Sequence, residues 1–118
     1  MNAGSGLHLT VDALTQMTFT KPYLQCCLKD LVHLVGMHVI LGPEVVGERN
    51  HWDGWCVLAE SHCAIHVHGG ECYVDLFSCR WFDVEVPLAF MRHRLKLLQM
   101  RIEVRERLMP APIGGSIA

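Results

Sequence analysis

The stretch VLAESHCAIHVHGGECYVDLFSC, residues 57–79, decides how this chain folds. His62, His66 and His68 recur at even spacing along a segment of about His62 to His68, the period that places side chains on one face of a strand. Gly69-Gly70 is a tight-turn pair, and a further strand follows from about Tyr73 to Cys79. Just upstream, about Trp55 to Ala59 forms the preceding strand. Strands joined by turns this short pair antiparallel.

Outward from this core, Leu7, Leu9 and Val11 alternate with His8, Thr10 and Asp12, which reads as a half-buried strand. Thr20 and Pro22 mark a helix start, and Leu24, Cys27, Leu28, Leu31, Val32 and Val35 follow as one apolar helical face. Gly36 stops that helix, Met37 to Leu41 forms a strand closed by Gly42-Pro43, and Glu44 to Gly54 reads as a polar, turn-like segment. Downstream, a second helix follows Pro87. Leu88, Met91, Leu95 and Leu98 are on its expected inner side, with Arg92, His93, Arg94 and Lys96 mostly toward water. Met100, Ile102 and Val104 alternate with Arg101, Glu103 and Arg105 as a last strand.

The expected fold is α+β: a two-layer sandwich of a mainly antiparallel sheet with two helices packed on one face. A single domain is expected over residues 1–108, with a loose tail over 109–118 that carries Pro110, Pro112, Gly114 and Gly115.

Composition narrows the function. A net charge of −2 over 118 residues argues against a nucleic-acid partner, which would call for clustered positive charge. The apolar runs are too short for a membrane span, and Met1 to Gly6 lacks the basic and apolar regions of a signal peptide, so a cytoplasmic location is expected. The six cysteines, Cys26, Cys27, Cys56, Cys63, Cys72 and Cys79, form no CxxC pair and are expected as free thiols, with Cys56 and Cys63 in the core. A zinc site from His62, His66, His68 and the nearby Cys72 is conceivable, but the spacing matches no standard signature and no metal is expected. Of the tryptophans, Trp55 and Trp81 read as packing residues and Trp52, in its polar segment, as the exception that contacts a ligand.

Two blocks carry chemistry. Glu60-Ser61-His62, followed by a short apolar segment and His66, resembles the processing motif of prokaryotic S-adenosylmethionine decarboxylases. Val74-Asp75-Leu76-Phe77-Ser78-Cys79 resembles the later strand of the same family, which ends in a catalytic cysteine. Gly6-Leu7-His8-Leu9, with Asp12 after it, resembles the family's start, and the element order agrees over roughly residues 6 to 105.

The resemblance implies a self-processing, pyruvoyl-dependent decarboxylase acting on S-adenosylmethionine for polyamine synthesis. Decarboxylation needs an electron sink that no ordinary side chain supplies. A covalent pyruvoyl group made from Ser61 would serve by forming a Schiff base with the substrate amine. Ser61 would attack the Glu60 carbonyl to turn the amide into an ester. Loss of the serine α-proton would then eliminate the Glu60 carboxylate, and the dehydroalanine left at position 61 would hydrolyse to pyruvoyl. The resemblance gives His66 the assisting role in cleavage and Cys79 the later return of a proton to the substrate's α-carbon. It also implies a homodimer of units cut between Glu60 and Ser61.

The family carries a supporting serine where this chain has Asp53, and an ionised carboxylate accepts hydrogen bonds but donates none. Glu71 stands one residue beyond the family's glutamate, and Glu71 and Trp52 are the expected substrate contacts. The alternatives are the same chemistry on ornithine or arginine, or an unprocessed, non-catalytic homologue that binds a ligand.

Overall fold

The computed structural model describes residues 6–107, so the expected tail at 109–118 lies outside the described residues. The order is β1 (Gly6–Thr15), α1 (Lys21–Leu34), β2 (Val39–Glu48), β3 (His51–Leu58), β4 (Ser61–His68), β5 (Glu71–Ser78), α2 (Glu85–Arg94) and β6 (Leu97–Arg107). The six strands form one antiparallel sheet in the order β2-β3-β4-β5-β1-β6. The expected α+β sandwich is the observed one.

Alternation divides the sheet into a dry face and an open face. Leu9, Val11, Cys56, Leu58, Cys63, Ile65, Val67, Cys72, Val74 and Leu76 point to the dry face and are buried. Leu24, Cys27, Leu28, Leu31 and Val32 of α1, with Leu88 and Met91 of α2, cover them. Full burial of one such aliphatic side chain contributes about 1.5–3 kcal/mol, so this layer dominates stability. Thr20 caps α1 by accepting from the Tyr23 amide at 3.3 Å, and Gly36, at φ +75°, supplies the left-handed residue that ends it.

Some sequence expectations change. The segment read as a turn, Glu44 to Gly54, is largely a hairpin: β2 runs on past Gly42-Pro43, and Arg49 and Asn50, both at positive φ, form the two-residue turn into β3. Proline is tolerated there because β2 is an edge strand, and the register shifts between Leu41 and Glu44 absorb it as a bulge. Leu98 is not on the inner side of a helix. Helix α2 stops at Arg94 and Lys96, at φ +51°, reverses the chain; Leu97 then enters the core and Leu98 faces out.

Arg94 also departs from the expected wet side. It bonds Asp30 at 2.9 Å and lies over the rings of Tyr23 and Phe90, tying α2 to α1. Strand β6 pairs only with β1, and its dry-face residues Ile102 and Val104 stay exposed because no described helix reaches them.

Candidate active site at one end of the central strands

Ser61 opens β4 and Cys79 follows β5 directly, and the β4–β5 pairing brings them side by side. The Cys79 backbone N–H donates to Ser61 Oγ at 3.2 Å, and the Cys79 thiol donates to Glu60 Oε2 at 3.4 Å. Ser61 is buried to 9% exposure, so its hydroxyl is held rather than free in water. Glu60 sits at φ +60°, in the left-handed region that a side chain with a Cβ disfavours by roughly 1–2 kcal/mol. The peptide bond between Glu60 and Ser61 therefore lies in a strained turn with a hydroxyl and a thiol at hand.

Gly6 contributes to this end through its lack of a side chain. A Cβ there would collide with the Ser78 carbonyl oxygen, so only glycine lets the start of β1 pass this close to the end of β5. On the open face next to Ser61, His8 Nε2 bonds Asp75 Oδ1 at 2.7 Å and His62 Nε2 lies 3.5 Å from the same oxygen. Phe77 packs against both rings. This His8–Asp75–His62 group was not singled out from the sequence. Its signal was the shared parity of His8 with Thr10 and of His62 with Ala64, which becomes legible only once register puts Asp75 between them. A cavity of about 300 Å³ opens at this end, bordered by Met37, Ser78, Arg80 and Trp81. Trp81 is 65% exposed and does not pack as expected; Trp55 is also partly exposed.

His66 is elsewhere. It lies five residues along β4 from Ser61, about 16 Å at strand rise, and the odd spacing puts it on the opposite face. Its Nδ1 bonds Asp53 Oδ1 at 2.6 Å, and His68 Nε2 bonds the same oxygen at 3.0 Å. These two hydrogen bonds, His66's first, hold the Asp53 carboxyl below the usual carboxylate range. Glu71 is at this far end too, accepting from Tyr73 Oη at 2.8 Å beside a cavity of about 330 Å³ that Asp12 and Arg101 also line. Trp52 turns to the dry face, where it packs against the core and its Nε1 donates to the Phe19 carbonyl at 3.1 Å. Of the residues expected to act together, one chain thus unites Glu60, Ser61 and Cys79 at one end and Asp53, His66 and Glu71 at the other. Cys72 does not join the histidines, because it is buried on the dry face while they occupy the open one.

All six cysteines are free. Burial raises the thiols of Cys56, to about 11, and Cys72, to about 12, and Cys63 also upward, so these three stay protonated and inert. Cys79 is part-exposed and Cys26 is exposed. No described helix is long and apolar enough to cross a membrane.

Comparisons with known proteins bear on the fold and the family. The crystal structure of the adenosylmethionine decarboxylase from Aquifex aeolicus VF5 matches with a TM-score of 0.69 at 19% identity, over 89% of this chain and 92% of that one. At that identity the match speaks for the fold. No curated protein sequence matches significantly. The family model described as S-adenosylmethionine decarboxylase matches residues 8–108, nearly the whole described chain. The chain belongs to the S-adenosylmethionine decarboxylase family, a family of carboxy-lyases that use a pyruvoyl group.

Proposed function

We propose that this protein is a self-processing decarboxylase of S-adenosylmethionine whose active site is completed by a second copy of the chain. The observation that carries the reading is the double contact of Cys79 with the residues on either side of one strained peptide bond: backbone to Ser61 Oγ, thiol to Glu60. The Cys79 amide orients the Ser61 oxygen. Attack on the Glu60 carbonyl converts the amide to an ester and relieves the left-handed turn. Glu60 then leaves as the carboxylate terminus of the first fragment.

The residues at this end fit a pyruvoyl group at position 61, because Ser61 heads its strand and can become a chain terminus without breaking the ladder behind it. When formed, that group supplies the electron sink for decarboxylation. Cys79 holds a proton at Sγ beside it, against the Glu60 carboxylate, ready for return to the substrate carbon. Trp81 and Arg80, beside the neighbouring cavity, offer a ring face and a positive charge to a nucleoside-bearing amino acid.

His66 cannot reach Ser61 of its own chain. A two-fold pair of copies with open faces together would place the His66 end of one over the Ser61 end of the other. The mixed charge of that face, with His8, Asp12, Asp53, Asp75, Arg101 and Arg105, suits self-association of this kind.

A second reading rests on Asp53. An ionised carboxylate held by two imidazoles has no proton to lend, which favours an intact, ligand-binding homologue. Denaturing mass spectrometry separates the two. Fragments meeting at 60/61 in the wild type, and a single intact chain in Ser61→Ala, are expected; an intact wild-type chain overturns the proposal. Carbon dioxide release from S-adenosylmethionine, ornithine and arginine then assigns the substrate, with S-adenosylmethionine expected.

A further inference from the structure

The far end of the open face carries a constellation that the decarboxylation chemistry does not use in full. His51 and Asp53 lie two apart on β3, and His66 and His68 two apart on β4. The ladder sets His51 opposite His68 and Asp53 opposite His66, so all four side chains stand on one face in a square of neighbouring positions. Within it, one ligand atom from each of His51, Asp53 and His68 lies within 4.8 Å of the other two. The rings of His51 and His68 stack at 4.0 Å between centroids and an interplanar angle of 14°.

We propose that His51, Asp53 and His68 bind a borderline divalent transition-metal ion, zinc(II) in class. Two neutral imidazoles and a carboxylate suit zinc, cobalt or nickel, whereas magnesium and calcium prefer all-oxygen sets. Bonds from such ligands to zinc are about 2.0–2.2 Å, so the three side chains would close in around one ion. In the single chain the site is part-exposed. His66 donates to Asp53 Oδ1, and a carboxylate with about four lone-pair positions can keep that bond while it ligates. His66 is thereby the outer partner that orients the ligating carboxylate. A metal here pins β3 to β4 across their ladder. Nothing in this inference depends on cleavage at Ser61.

The molecule holds a rival cluster, His8, His62 and Asp75, near Ser61. Its ligands come from three strands, and no additional imidazole supports its carboxylate.

The test is titration with zinc(II) and with cobalt(II), on the wild type and on Ser61→Ala, so that the state of the 60/61 bond does not affect the result. One equivalent per chain is expected, with a cobalt visible spectrum free of the sulfur-to-metal charge-transfer band that a cysteine ligand produces. His51→Ala, at an exposed position, and His68→Ala, at a part-exposed one, both checked for native circular dichroism, should each weaken binding by at least the roughly 10–100-fold seen on loss of an outer partner of a metal ligand. Absence of binding overturns the proposal. So does binding that His51→Ala and His68→Ala leave unchanged, or that His8→Ala abolishes, or a sulfur band.

Discussion

The same alternation gives the two ends of β4 different sets of side chains. At the Ser61 end, a hydroxyl, a thiol and a strained turn meet within hydrogen-bond distance, and backbone geometry does much of the placing. At the His66 end the described open face carries mainly imidazoles and carboxylates, with the Tyr73 hydroxyl bonded to Glu71. One strand cannot bring both to a single point, since its length and its pleat keep them apart. A residue set that is contiguous in sequence can therefore be split in space, and a symmetric pair of copies is the simplest way to join it again.

The largest expected effect belongs to the Ser61 end. Cys79→Ala keeps the backbone N–H that bonds Ser61 Oγ but removes the thiol proposed as the proton donor. Cleavage at 60/61 should continue, while carbon dioxide release from S-adenosylmethionine falls by about 10²–10⁴-fold, the range for a lost acid–base group. If turnover were unaffected, the thiol would have no chemical role and the contrast between the ends would weaken.

Both ends hang on one core, so the next effect is shared. Met91 is fully buried under the sheet, and Met91→Ala should cost about 2–5 kcal/mol in urea unfolding, with one transition for the whole chain. Two separate transitions would mean that the ends are independently stable.

A smaller effect distinguishes the dry face from the exposed positions by pH. The thiols of Cys56 and Cys72 are raised from 9.0 to about 11 and about 12, so the folded chain holds their protons more tightly than the unfolded one. Their contribution to stability is complete below pH 9 and is lost as pH rises from there toward those values. The urea midpoint should therefore drop between pH 8.5 and 10.5, and drop less in Cys56→Ala/Cys72→Ala. A thiol reagent at pH 8 should label Cys26 and Cys79 in the folded chain and leave Cys56, Cys63 and Cys72 untouched.

Much of the fold was legible because period and punctuation agree. Leu7, Leu9 and Val11 alternate in a strand, Leu24 to Val32 follow helical spacing, and Gly69-Gly70 closes a hairpin; all three stand as read. The β2–β3 hairpin was hidden because its turn residues are Arg49 and Asn50 instead of an Asn-Gly pair, and because Pro43 argues against a strand until β2 is known to be an edge. Leu98 fits a helical period yet lies past the left-handed Lys96, a reversal that side-chain pattern does not announce.

At the site, the pairing of Ser61 with Cys79 could be read from the two blocks. The separation of His66 from Ser61 could have been read from parity alone, since five is odd. The partnership of Asp53 with both His66 and His68 needed the β3–β4 register, which no local pattern encodes.

The proposed division of the site between two copies is tested most directly by mixing inactive chains. His66→Ala keeps Ser61, and Ser61→Ala keeps His66; each alone should remain uncut. Co-expressed, they should form mixed pairs in which the His66→Ala chain, and only that chain, is cut at 60/61 by intact mass. Unimpaired cleavage of His66→Ala alone, or no cleavage in verified mixed pairs, would contradict the account.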